Sequence, residues 1–171
     1  MASDNAPGRP PTPDPADLFK AAMATFPSGV TIVTTADAQG RWWGFTATSF
    51  CAVSLAPPLV LVCLDRGAEC HPVFETAERW IVHVIQPGDS ELALRFATRG
   101  ADKFADDAFT ADARGLPRLS RASVTLDCAR YAVHEGGDHT ILLGRVEDSH
   151  VGAEAPVVYF RRRFHPLPAT G

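Results

Sequence analysis

Gly44-Phe45-Thr46-Ala47-Thr48-Ser49-Phe50, with the run from Cys51 to Asp65 behind it, decides how this chain is read. The first seven residues mix small, aromatic and hydroxylated side chains. The run behind them turns at Ser54-Leu55-Ala56-Pro57-Pro58. It continues as Leu59-Val60-Leu61-Val62-Cys63-Leu64, apolar throughout, and ends in the carboxylate of Asp65. Missing alternation, short length and the prolines upstream predict a strand buried on both faces. Thr46, Thr48 and Ser49 around Ala47 put hydroxyls and bare backbone close to whatever packs there. That surface suits a polar, planar ligand. It equally suits hydroxyls that satisfy their own strand and turn.

Upstream, Val30-Thr31-Ile32-Val33-Thr34-Thr35 is β-branched throughout and predicts a strand. Asp37-Ala38-Gln39-Gly40 is a turn and Arg41-Trp42-Trp43 begins the returning strand, so the segment is a hairpin. Before it, Asp14-Pro15 reads as a cap with proline at the first helical position. The helix runs to about Ala24, with Leu18, Ala21, Ala22 and Phe26 as its inward face, and Pro27-Ser28-Gly29 stops it. Residues 1–16 are proline-rich and predict a disordered arm. The folded domain then spans residues 17–166.

Downstream, Cys70 to Ala77 predicts a short helix with Val73 and Phe74 inward, and Trp80 to Ile85 a strand. A second helix follows Pro87-Gly88-Asp89, capped by Asp89 or Ser90, with Leu92, Leu94 and Phe96 facing in. Residues 98–120 read as a long irregular surface segment. Val124 to His134 and His139 to Val146 are strands joined by a Glu135-Gly136-Gly137-Asp138 turn. Val157-Val158-Tyr159-Phe160 is the last apolar piece before Arg161-Arg162-Arg163. Strands joined by short turns cannot be parallel throughout, because each parallel crossover needs a long connection. The expected class is mainly β, an antiparallel Greek-key-like barrel with peripheral helices.

The totals narrow the function. The 171 residues suit one domain with a real core, and 46% are hydrophobic. A formal charge of -4 gives no bulk attraction to nucleic acid or an anionic membrane. The four cysteines form no Cys-x-x-Cys pair, so no metal site is expected. The start shows no secretory pattern and no apolar run is long enough to span a bilayer, so a cytoplasmic protein with reduced thiols is expected. No Gly-x-Gly-x-x-Gly, phosphate loop, His-Glu-x-x-His or Gly-x-Ser-x-Gly is present. Any nicotinamide cofactor therefore binds without the usual fingerprint.

The stretch from Gly44 to Phe50, followed by Ser54-Leu55-Ala56-Pro57-Pro58-Leu59-Val60, resembles the short-chain flavin reductases, the small components of two-component flavin monooxygenases. The resemblance runs from about Phe19 to Phe164 and is strongest toward members from aromatic-polyketide antibiotic pathways. It implies the FMN-binding split-barrel fold, a homodimer with flavin sites near the subunit interface, and a monooxygenase partner that receives reduced flavin. It implies FMN as the flavin, with FAD open, and NADH as the donor, with NADPH open.

The resemblance also assigns residues. Gly44, Phe45, Thr46, Ala47, Thr48 and Ser49 would meet the flavin ring and ribityl chain, with Cys63, Leu64 and Asp65 at the strand end and Cys70 beside them. Arg95-Phe96 and Asp102-Lys103-Phe104 match the family's Arg-Phe and Asp-Lys-Phe, so Arg95 and Lys103 would hold the flavin phosphate. On pattern alone Arg95 and Arg99 are exposed helix residues. Gly137-Asp138-His139 is another shared feature. It would place His139, the catalytic candidate, over the flavin face, where it positions the nicotinamide. Tyr159 and Arg161 would contact the nicotinamide cofactor. Hydride transfer between two stacked rings needs no side-chain acid or base, so the protein's task is placement. The competing readings are a non-catalytic flavin-binding split barrel and a pyridoxamine-phosphate-oxidase-like enzyme.

Overall fold

The computed structural model describes residues 14–168. The arm expected over residues 1–16 lies outside them, except that Asp14 to Ala16 already belong to a capped helix. Helix α1, Pro15–Met23, starts where the Asp14 carboxylate accepts the Ala16 N–H at 3.0 Å, with proline in the first turn. It buries none of its residues in this chain. Leu18, Phe19, Met23 and the following Phe26 are all exposed, against the expected inward face. The apolar stripe is there, but no other described residue covers it.

After the two-residue strand β1 (Ser28–Gly29), β2 (Thr31–Ala36) and β3 (Trp42–Ala47) form the expected hairpin. The Asp37 carboxylate fixes its turn by accepting from the N–H groups of Gln39 and Arg41 and from the Trp43 indole. Strands β4 (Cys51–Leu55) and β5 (Pro58–Asp65) pair antiparallel across the proline turn. Helix α2 (His71–Thr76), strand β6 (Arg79–Val84) and helix α3 (Ser90–Ala97) follow.

Residues 98–120 are not wholly irregular. They hold a small hairpin of β7 (Phe109–Ala111) and β8 (Pro117–Leu119), its turn tied by the Asp112 carboxylate to the N–H groups of Arg114 and Leu116. The long strands β9 (Val124–Gly136) and β10 (His139–Val151) come next, then β11 (Val157–Phe160) and β12 (Arg163–Pro166). Strand β12 lies beyond the last apolar piece read from the sequence. With β1 and β11 it forms a separate three-stranded sheet.

The main sheet has seven strands in the order β3-β2-β6-β9-β10-β5-β4, every neighbouring pair antiparallel. Strands β3 and β4 lie on opposite edges, yet only Thr48-Ser49-Phe50 separates them in the chain. Four Cα steps reach at most about 14 Å, so the sheet must roll until its edges nearly meet. The result is a barrel with an unpaired seam. Ser49 ties the seam together: its Oγ accepts the Cys63 N–H at 3.0 Å and donates to the Cys63 carbonyl at 3.3 Å.

Two apolar clusters share the strands. Inside the barrel, Val33, Phe45, Val62, Leu64, Trp80 and Leu142 surround Phe74, which α2 inserts like a plug. Outside, Ile32, Ile85, Leu92, Phe96, Phe109 and Leu119 pack α3 and the small hairpin onto the sheet. Residues of β2 alternate between the two clusters, so the strand is buried on both faces. Strand β5 is not. Val60, Val62 and Leu64 face the interior, while Leu61 and Cys63 on the other face are only half-buried. Next to an edge strand, that second face lacks the covering layer which its composition suggested. In α3 the buried residues are Leu92, Ala93 and Phe96, and Leu94 is exposed. A helix repeats every 3.6 residues, so Leu94 cannot share a face with both Leu92 and Phe96. Asp89 precedes the helix but makes no capping hydrogen bond. Its buried carboxylate pairs instead with Arg121 at 2.6 Å.

Candidate functional site

A cleft of about 350 Å³ opens along the barrel seam. Phe45, Ala47 and Leu64 make its buried apolar floor. Thr48 and Ser49 lie just past the last paired residue of β3, in no strand, so their backbone groups are free of the ladder. Cys63 and Asp65 close the opposite side from the end of β5. His139, the first residue of β10, lies in register beside Asp65 and lines the cleft. The far end carries two cations, Arg99 and Lys103, and one carboxylate, Glu69, beside the buried ring of Phe96.

Hydrogen bonds show which polar groups are already engaged. Thr46 donates to the Ala93 carbonyl at 2.6 Å and so pins β3 to α3. Ser49 holds the seam. The hydroxyl of Thr48 has no hydrogen-bond partner among the described residues. Backbone groups distant in sequence, on α3 and β5, thus take two of the three hydroxyls, and neither serves its own strand or turn. The His139 Nδ1 lies 2.8 Å from Asp138 Oδ1, and this contact holds the Asp138 carboxyl below its usual range. Asp65 Oδ1 accepts the Gly67 N–H at 2.6 Å. Lys103 Nζ donates to the Gly44 carbonyl at 3.1 Å and is thereby held between two clefts.

The structure gathers Phe45, Thr46, Ala47, Thr48, Ser49, Cys63, Leu64, Asp65, Phe96, Lys103 and His139 into this one cleft. The other candidates lie elsewhere. Gly44 and Cys70 line a neighbouring cleft of about 320 Å³. Cys70 is buried, and desolvation pushes its thiol up to about 11. Arg95 turns away and pairs with Asp106 at 2.7 Å. Gly137 and Asp138 form the two-residue turn behind His139, where Gly137 takes φ +70°. Tyr159 packs on Phe164 in the three-stranded sheet, and the Arg161 guanidinium lies over Phe160; neither lines the cleft. Sequence reasoning missed Ala68, Glu69, Ala97 and, above all, Arg99. Helix α3 ends at Ala97, so Arg99 swings off the helix and donates to the Gly67 carbonyl at the cleft wall. Its position one turn after Arg95 was the only signal available.

Among the described residues, no cluster of His, Cys, Asp and Glu could hold a metal, and no helix is long and apolar enough to cross a membrane. The site has an apolar floor, one polar edge and a cationic end. Such a shape holds a flat, amphipathic ring with an anionic tail.

A family model described as "Flavin reductase like domain" matches residues 23–168. The chain belongs to this family. Within the Flavin reductase like domain family, it is 44% identical over 151 residues to the actinorhodin polyketide dimerase of Streptomyces coelicolor, covering 88% of this chain and 85% of that one. It is 42% identical over 156 residues to the NADH:riboflavin 5'-phosphate oxidoreductase of Streptomyces pristinaespiralis, covering 89% of each. Among solved structures, the NADH:FAD oxidoreductase of Streptomyces globisporus, in complex with NAD and FAD fragments, superposes with a TM-score of 0.84 at 33% identity. That match covers 91% of this chain and 95% of the other. The rolled antiparallel sheet is therefore a split barrel of the flavin-reductase type.

Proposed function

We propose that this chain is an NADH-dependent flavin reductase that passes reduced flavin to a separate flavin-dependent monooxygenase. The observation that carries the reading is the seam cleft, in which an apolar floor, the free backbone after Ala47, His139 and a cationic end converge. FMN fits this donor set best, because its single phosphate matches the Arg99 and Lys103 end; the relative from Streptomyces pristinaespiralis is named for the same flavin. Bound flavin would supply the hydride acceptor. This chain's residues supply the rest. Phe45, Ala47 and Leu64 offer an apolar face that shields the reacting ring from water. Thr48 and the unpaired backbone beside it donate to its polar edge. His139, steadied by Asp138, borders the open side of the cleft and orients the incoming nicotinamide. No residue is asked to carry a proton between the reacting atoms.

The place of His139 favours a reductase over a flavin carrier, which needs only the binding floor. The exposed apolar residues of α1 and β4 support the homodimer, since an unpaired apolar surface of this kind marks an interface. Anaerobic mixing of protein, NADH and FMN tests the function. The expected outcome is bleaching of flavin absorbance with matching loss of NADH, and return of the flavin colour on admitting air. NADH left untouched in the presence of either FMN or FAD would overturn the reading.

A further inference from the structure

The carboxylate of Glu69 stands where an anion would be received. It lines the same end of the seam cleft as Arg99 and Lys103 and is exposed to solvent. The three side chains do not neutralise one another. Arg99 donates to the Gly67 carbonyl, and Lys103 donates to the Gly44 carbonyl at 3.1 Å. Glu69 Oε2 accepts the Gly100 N–H at 3.2 Å, a backbone donor just past the end of α3. Among the described residues Glu69 joins no ion pair. Its charge therefore faces whatever lies beside the two cations. The neighbouring Cys70 thiol registers the contest: burial raises it most, Lys103 works against the rise and Glu69 adds to it.

A phosphate monoester carries a charge of about −1.5 to −2 at neutral pH. Two cations alone would grip it through charge-assisted hydrogen bonds. A carboxylate at the same end offsets one of those two charges and occupies the Gly100 N–H, which an anion would otherwise use. The apolar floor of Phe45, Ala47 and Leu64 is not affected by this opposition. We propose that Glu69 sets the flavin selectivity of the cleft. It weakens the hold on the phosphate, so recognition rests mainly on the ring. Riboflavin then competes with FMN, and FMN leaves readily once reduced. The proposal rests on the reductase reading for what fills the cleft. It also suits that reading, because a flavin anchored tightly by its phosphate could not pass to a separate protein.

The test titrates FMN and riboflavin by fluorescence quenching, with no nicotinamide present, into wild type, Glu69→Gln and Glu69→Ala. Glutamine keeps an acceptor for the Gly100 N–H and removes only the charge, whereas alanine removes both. Wild type should prefer FMN to riboflavin by no more than about ten-fold. Both variants should bind FMN about five-fold more tightly than wild type and riboflavin within about two-fold of it. The gain for FMN should shrink as NaCl rises from about 20 to about 500 mM, because salt screens an exposed charge. Displacement of FMN should slow by a similar factor, since affinity changes at one site lie mostly in dissociation. An unchanged FMN affinity in Glu69→Gln, an equal gain for both flavins or a gain indifferent to salt overturns the proposal. So does a gain in Glu69→Ala alone, which would make the contact and not the charge responsible, or a wild-type preference for FMN beyond ten-fold. Binding of neither flavin overturns this proposal and the reductase reading together. Should the flavins bind as expected while NADH reduces neither, the place of Glu69 stands and the reductase reading falls.

Discussion

His83 is fully buried on β6, and its two ring nitrogens have fixed, opposite tasks. Nδ1 donates to the Ile32 carbonyl at 3.0 Å, and Nε2 accepts the Leu119 N–H at 3.1 Å. Protonating Nε2 would destroy the second bond and place a charge in an apolar cluster, so burial drives the group down to about 4. The folded value lies below the unfolded one, near 6.5. The unfolded chain thus binds the extra proton first, and stability falls as pH drops from about 6.5 toward 4. A shift of this size corresponds to roughly 3 kcal/mol at most. Urea unfolding between pH 4 and 7 should show that slope, and His83→Gln should flatten it while lowering stability at pH 7. His139 makes the opposite case. It is partly exposed, bonded only to the adjacent Asp138, and no packing depends on it. His139→Ala should leave the melting temperature unchanged and the FMN Kd within two-fold. KM for NADH should rise about ten-fold, the size expected from losing one positioning contact worth about 1.4 kcal/mol. Equal loss of flavin and NADH affinity would remove its assigned place on the nicotinamide side.

One glycine and one turn show what each element asks of its residues. A Cβ built on Gly44 would come within 2.7 Å of the Phe96 ring and 2.9 Å of the Val33 carbonyl. This glycine lets α3 lie directly on β3, which sets the distance from the floor of the cleft to its cationic end. Gly44→Ala should cost about 1–3 kcal/mol by overpacking. Gly88→Ala, where nothing lies within 4 Å, serves as the neutral control in the same urea titration. The turn between β11 and β12 is Arg161-Arg162, with φ of 49° and 62°. A two-residue hairpin of this kind asks for residues such as Asn-Gly, and left-handed backbone in an ordinary residue costs about 1 kcal/mol or more. Arg162→Gly should therefore raise stability by about 1 kcal/mol in equilibrium unfolding.

The same turn explains why β12 could not be read from sequence: Arg-Arg is no turn signal, and the residues after it look like a charged end. The β2–β3 hairpin was legible because Asp37 and Gly40 do conform. The resemblance marked Gly44 to Ser49 as a candidate site, but not what its hydroxyls bond. Only the fold shows that Thr46 and Ser49 serve α3 and the seam while the Thr48 hydroxyl has no hydrogen-bond partner among the described residues. Arg95 and Arg99 were indistinguishable by pattern, because the choice between them depends on where α3 stops.

At the scale of the molecule, the apolar surface is unevenly placed. Leu18, Phe19 and Met23 on α1, Phe26 after it, and Val53 and Leu55 on the edge strand β4 are exposed, Leu55 at 90%. An edge strand also presents unpaired N–H and C=O groups along its free side. A second copy covering these surfaces would account for both. Sedimentation equilibrium should report a dimer for wild type and a monomer for Leu55→Asp, with the circular dichroism unchanged. A monomeric wild type at micromolar concentration would refute the pairing. The mainly antiparallel barrel followed from turn spacing, whereas the place of its seam did not. No local pattern says that strands adjacent in the chain sit at opposite edges.

That closure gives one short link two duties. Thr48-Ser49-Phe50 is the latch of the barrel, and its first two residues are also the shelf on which a ligand would rest. Adding even one residue there would slacken the latch and drop the shelf together. Anyone remodelling this protein for a bulkier chromophore should keep that tripeptide's length and carve space from the α3 side instead.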